Sequence, residues 1–157
     1  MEQGRGGGLR PRADGDPFAE ALAGLITSIR GACEDANEWP ERVGAGLYAG
    51  IDFLVQEKEM ARVLLDDPDN SRFGEPFRQL VQNMSELLEE DAPVRARPGP
   101  GTPAAAIAGV GLVVGDHVRV GRADRLPELC PEMHLMILLP FLSFEEARGW
   151  AETYKRK

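Results

Sequence analysis

Cys130 and His134 lie four residues apart in a stretch with helical periodicity, so their side chains share one helix face, with Glu128 and Glu132 close in sequence. A thiol, an imidazole and carboxylates at that spacing form a pattern that can ligate zinc. A structural zinc takes four ligands, and here the remaining cysteine and histidine, Cys33 and His117, would have to converge from distant segments. No metal site is expected, and a packed or interfacial role accounts better for His134. Asp116 and His117 are adjacent, which turns them to different helix faces and excludes a local acid–base dyad. Gly44, Gly46 and Gly50 have the spacing GxGxxxG where a dinucleotide loop needs GxGxxG after a strand, and no strand precedes them. With no nucleophile elbow and no phosphate loop, the chain is read as a non-enzyme, with no catalytic residue and no cofactor.

Binding remains. Phe77 and Met84, with Val81 between them, lie on or beside a helical stripe rich in aromatic and thioether side chains, which suit an adaptable apolar wall. Tyr48 and Asp52, four apart on one helix flank, and His117 supply polar handles. These six residues, Tyr48, Asp52, Phe77, Val81, Met84 and His117, are the expected lining of an internal ligand cavity.

The elements that must position them read as helices throughout. Asp16 followed by Pro17 is a helix start, since the carboxylate caps free N–H groups and proline costs nothing in a first turn. Phe18, Leu22, Leu25, Ile29 and Cys33 then follow at helical intervals. Pro40 opens a second helix with Val43, Leu47, Ile51 and Leu54 inward, and its glycines suit close approach of a neighbour. A short helix over Lys58 to Leu65 stops before Asp66-Asp67-Pro68. Asp69, Asn70 and Ser71 offer caps to the next helix, with Phe73, Phe77, Leu80, Met84 and Leu87 as its stripe. The carboxylates Glu86, Glu89, Glu90 and Asp91 at its end read as a solvated face.

A Pro/Gly-rich linker over 92–102 separates this first bundle from the most apolar part of the chain. Thr102-Pro103 starts a helix of small residues ending at Gly121, with Ile107, Val110, Val114 and Val118 as its ridge. A second helix is expected from about Arg125, kinked at Pro131 and kinked or ended at Pro140. Its segment Leu135 to Leu142 carries no polar side chain, so every face is apolar and one monomer cannot easily cover it. Ser143 and Glu146 then form a capping box that launches a last helix through Trp150, which is expected to pack on this pair.

The 157 residues, 43% hydrophobic and 28% charged, are enough for one folded domain over 17–157, preceded by a Gly/Arg-rich arm, 1–16, expected to be disordered. A formal net charge of −8 opposes broad contact with nucleic-acid phosphates. No apolar run approaches the roughly twenty residues of a membrane span, and no signal peptide is evident, so no membrane contact and a cytoplasmic location are expected.

From Val120 to Ala147 the sequence resembles the C-terminal half of TetR-family transcriptional regulators. The residues that carry the likeness are Val120-Gly121-Arg122-Ala123-Asp124-Arg125-Leu126-Pro127-Glu128-Leu129, Pro131-Glu132, Leu138-Leu139-Pro140-Phe141-Leu142 and Glu145-Glu146-Ala147. Trp39-Pro40-Glu41-Arg42-Val43 through Ile51-Asp52-Phe53-Leu54 is similar to that family's mid-chain helix, and the likeness spans Pro17 to Trp150. It implies an all-α bundle of about six to seven helices that binds a small, apolar effector and dimerises through its last two long helices, paired across a twofold axis as a four-helix bundle. The homodimer interface would then involve Val110, Gly111, Val114, Gly115, Val118, His134, Leu135, Leu138, Leu139 and Leu142. The family's N-terminal helix-turn-helix has no counterpart in residues 1–16, so contact with DNA is not expected of this chain itself. The alternative reading is a helical interaction module that heterodimerises with another regulator.

Overall fold

Asp16 opens the first helix: its Oδ1 accepts hydrogen bonds from the amides of Phe18 at 3.0 Å and Ala19 at 3.3 Å, with Pro17 in the first turn. The computed structural model describes residues 16–65, 75–93 and 102–155, and among them the chain forms seven α-helices. These are α1 (Pro17–Cys33), α2 (Trp39–Gln56), α3 (Lys58–Leu65), α4 (Glu75–Glu89), α5 (Thr102–Arg119), α6 (Cys130–Leu138) and α7 (Phe144–Lys155), with a 3₁₀ segment over Ala123–Leu129 before α6. The expected arm up to Gly15, the caps Asp69 to Ser71, Phe73 and most of the expected linker lie outside the described residues.

The tightest pairing is α1 on α2, and the glycines of α2 explain it. A Cβ placed on Gly46 would stand 3.0 Å from Ile29 Cγ2 and 3.3 Å from Cys33 Sγ, so the bare backbone of α2 is what lets α1 settle against it. Gly44, Ala45, Gly46 and Gly50 are accordingly buried, while Val43 and Leu47 of the expected stripe are only half-buried. α4 leans mainly on α5 and, more lightly, on α3. Trp39 pins this side to the rest: its indole Nε1 donates to the carbonyl of Leu88 at 3.0 Å, and its ring lies 4.8 Å from that of Phe141.

α5 ends as its sequence predicts. Gly121 takes φ of 76°, its amide donates to the carbonyl of Val118 at 3.2 Å, and the amide of Arg122 donates to that of His117 at 2.7 Å. This double bond around a left-handed residue is a Schellman ending, which glycine adopts without the Cβ penalty.

The second long helix expected from Arg125 is replaced by two shorter pieces, the 3₁₀ segment and α6, and a turn. Pro127 falls inside the 3₁₀ segment, Pro131 occupies the first turn of the nine-residue α6, where it kinks nothing, and Pro140 lies in the turn after it. Each proline lacks an N–H and is seated where the α-helical ladder does not need one. The capping box forms as expected: the amide of Glu146 donates to Ser143 Oγ at 3.2 Å and the amide of Ser143 to Glu146 Oε1 at 3.1 Å.

The all-round apolar character of 135–142 has an explanation within one chain. α6 is enclosed by α2, α5, α7 and the 3₁₀ segment, and Leu126, Cys130, Met133, His134 and Leu138 are the largest fully buried side chains. Ile137 and Phe141 are buried as well, leaving Met136 and Leu139 outward at 40% exposure each. Trp150 on α7 is half-buried against the same core. No helix among the described residues is long and apolar enough to cross a membrane.

Candidate functional site

The inward faces of α1, α2, α4 and α5 do not meet completely. Between them, closed on one side by Leu64 and Leu65 of α3, lies a cavity of about 430 Å³. A core packed to ordinary density leaves few voids larger than a water molecule, whereas this one falls in the range of small-molecule sites. Each wall follows from a stripe in the sequence. α1 contributes Leu25 and Ile29, α2 contributes Val43, Leu47, Ile51 and Leu54, α4 contributes Phe77, Leu80, Val81, Met84, Leu87 and Leu88, and α5 contributes Ile107, Val110 and Val114. Trp39 and Ile137 complete the apolar surface. Gly46, Gly50 and Gly111 keep their helices bare where they face it, and a Cβ at Gly111 would already press on the Phe77 ring at 3.2 Å.

One end is charged. Arg30, Glu34, Arg42, Glu90 and Asp91 border the cavity there together with Cys33, and all but Arg42 and Cys33 are exposed. Two ion pairs bridge this mouth from α1 and α2 to the residues that follow α4. Arg30 grips Glu90 with both ends of its guanidinium, at 3.1 and 3.4 Å, and Arg42 reaches Asp91 at 3.5 Å. The carboxylates expected to be a plain solvated face are thus partly engaged. Asp91 itself has φ of 62°, in the left-handed region that non-glycine residues rarely occupy. Cys33 Sγ donates to the carbonyl of Arg42 at 3.4 Å, and burial raises its thiol above the usual range although Arg42 and Arg30 pull the other way.

A second cluster of titratable groups sits behind α2, away from the cavity. His134 is fully buried, and its Nε2 stands 3.0 Å from the carbonyl of Pro40. A carbonyl only accepts, so Nε2 carries the proton, and Nδ1 is buried without a partner. Burial lowers the imidazole below its usual range, opposed by the Pro40 bond, so the ring is neutral. Tyr154 lies edge-on at 5.7 Å from the His134 ring and 4.9 Å from Tyr48, whose hydroxyl is buried with no hydrogen-bond partner. Burial holds the Tyr48 hydroxyl above its usual range and pushes the Cys130 thiol up to about 11. A thiol so placed stays protonated, and the described residues contain no group of three or more His, Cys, Asp or Glu placed to share a metal.

The structure divides the six expected cavity residues in half. Phe77, Val81 and Met84 line the cavity. Tyr48 packs instead with Tyr154. Asp52 is exposed and accepts from Gln56 Nε2 at 2.9 Å. His117 Nδ1 is 2.9 Å from the carbonyl of Val113, one turn back on its own helix. A four-residue spacing puts Tyr48 and Asp52 on one side of α2 with Gly44, and that side faces His134, Tyr154 and solvent, because the side carrying Gly46 and Gly50 is the one that meets α1. The residues that sequence reasoning missed are the charged ones: Arg30, Arg42, Glu90 and Asp91 come from three segments, and no local spacing announces their meeting.

The expected dimer residues also need correction. Val110, Val114, Gly115, Val118, His134 and Leu138 are buried inside their own chain, and Gly111 faces Phe77. Leu135, Leu139 and Leu142 keep partial or full exposure. The reason is the enclosure of α6 described above: its most apolar face turns inward, and α5 uses its valine ridge to close the cavity.

Comparison with known proteins gives no matching family model, no matching curated protein and no matching solved structure.

Proposed function

We propose that this chain is a ligand-sensing and dimerisation domain related to the effector-binding half of TetR-like regulators, taking a small, largely apolar molecule into the cavity between α1, α2, α4 and α5. The observation that carries the reading is the cavity itself: about 430 Å³, walled by aliphatic, aromatic and thioether side chains and ending in charged groups. A space of that size, walled by apolar side chains from four helices with a few charged groups at one end, has the make-up of a small-molecule site. The likeness over Val120 to Ala147 supports the choice of family. In this reading DNA contact belongs to a segment other than the helices described.

The same reading places a twofold interface on the outward side of α5 and α6. Met136 and Leu139 are the exposed large apolar residues there, and the Met136 Cε lies 3.6 Å from where a Gly109 Cβ would be, so one face runs across both helices. Leu135 and Leu142 flank it. This face replaces the buried valines as the expected seam of an isologous dimer.

The test is a thermal-shift screen of neutral apolar compounds on the whole chain, followed by sedimentation equilibrium. A ligand at a hundred times its Kd should stabilise the fold by about 2.7 kcal/mol, and filling the space with Val81→Trp should remove that response. A dimer that Leu139→Lys dissociates without unfolding is expected. Absence of any stabilising compound, together with a wild-type monomer at micromolar concentration, would overturn the proposal.

A further inference from the structure

The charged mouth of the cavity holds an internal imitation of a ligand. Arg30 and Glu90 meet fork to fork, Nη2 to Oε2 at 3.1 Å and Nη1 to Oε1 at 3.4 Å, which is the geometry by which a guanidinium holds a carboxylate. Arg42 offers a second cation, with its side chain only 29% exposed, against 76% for its partner Asp91. Both carboxylates follow the C-terminal end of α4, where the helix dipole disfavours negative charge, and Asp91 is held in a left-handed backbone conformation. In the Arg42–Asp91 pair the carboxylate is thus the looser member, whereas Arg30 and Glu90 are equally exposed, at 55% and 54%. Arg30 stands on the last turn of α1, and Arg42, the more buried of the two, on the first turns of α2.

We infer that the cavity takes a single-tailed amphiphile whose head group is a carboxylate, seated on Arg30 and Arg42 in place of Glu90 and Asp91, with its tail between Phe77, Met84 and Val114. This rests on the ligand-sensing reading and adds the class of ligand to it. Release of Glu90 and Asp91 sends two already exposed carboxylates into water, at little loss, because exposed ion pairs contribute little. The incoming carboxylate keeps both guanidiniums partnered, and its tail replaces water along an apolar wall. Displacing Glu90 and Asp91 also cuts the two ionic ties between the end of α4 and the α1–α2 pair, while the buried bond from Trp39 Nε1 to the Leu88 carbonyl keeps that end in place.

The test uses three probes with the same tail, dodecanoate, dodecanol and dodecylamine, each titrated calorimetrically into the whole chain below its micellar concentration. Dodecanoate should bind roughly two- to fivefold more tightly than dodecanol, with dodecylamine weakest. Arg42→Gln and Arg30→Gln should each erase most of that preference, and Glu90→Gln should tighten dodecanoate by removing its internal competitor. Equal affinity for dodecanoate and dodecanol, tighter binding of dodecylamine, or indifference of dodecanoate to both arginine substitutions would overturn the inference and leave the cavity reading standing. Failure of all three probes and of every neutral compound would remove the cavity reading and the inference together. Because Val81→Trp could disturb the fold, Val110→Phe serves as a second filled variant, and either one, if folded, should abolish dodecanoate binding.

Discussion

Replacing Gly44 by alanine adds one methyl group and should cost more stability than any other glycine-to-alanine change in the described helices. The new Cβ would stand 2.7 Å from Cε1 of His134, 3.1 Å from its Nε2 and 3.1 Å from Cγ of Tyr154. A ring edge can sometimes swing aside, but this one is fully buried, held by Nε2 to the Pro40 carbonyl and backed by Tyr154. Overpacking of this kind costs about 1–3 kcal/mol. If the ring yields, the bond to Pro40 is lost and a buried carbonyl is left unpaired, which costs a further ~1–3 kcal/mol. Against this, alanine in a helix interior gains up to about 1 kcal/mol over glycine. The balance is a loss of roughly 2 kcal/mol, or a Tm lower by about 4–8 °C for a chain of this size. Gly31→Ala is the internal control. Gly31 is exposed near the end of α1 and has nothing within 4 Å of its added Cβ, so only the helix-propensity gain of about 0.5–1 kcal/mol remains. Urea unfolding followed by far-UV circular dichroism should therefore move the two midpoints in opposite directions. A Gly44→Ala midpoint equal to or above that of the unsubstituted chain would refute the packing argument.

Two further outcomes follow from the buried cluster around His134 and from the cysteines. Burial lowers the His134 imidazole below its unfolded value of 6.5, so as pH falls through about 6.5 the unfolded chain takes up a proton that the folded chain refuses. Stability is then lost on acidification by at most about 1.4 kcal/mol per pH unit, levelling off once pH is below the lowered folded value. Comparing urea midpoints across that window, His134→Gln, whose amide can still donate to Pro40, should lack this component; identical slopes in the two proteins would exclude it. With Cys130 buried and its thiol pushed up to about 11, a water-soluble disulfide reagent near neutral pH should modify only half-buried Cys33 in the native state. Cys130 should react on unfolding, and fast native labelling of Cys33→Ser would contradict its burial.

Much of the helical order is legible in the residue pattern because local chemistry decides it. Asp16-Pro17, Trp39-Pro40, the stop at Gly121 and the Ser143–Glu146 box all act within a few residues, and each does in the structure what its chemistry implies. Phe77 and Met84 of the α4 stripe line the cavity. Two misreadings came from tertiary context. An apolar surface on every side of 135–142 predicts burial but not by what, and α2, α5 and α7 proved sufficient for most of it. Tyr48, Asp52 and His117 read as polar handles on or beside inward helix faces, whereas the charged end of the cavity is assembled from Arg30, Arg42, Glu90 and Asp91 across three segments.

Trp39 has an optical consequence. Of the two tryptophans, it alone borders the cavity, while its N–H is fixed on the Leu88 carbonyl and its ring rests against Phe141. Indole emission responds to the polarity around the ring, so a buried chromophore built into the wall reports on whatever displaces water from the space beside it. In a Trp150→Phe background the emission of this one ring would follow occupancy and any movement of α4 together, without an added label.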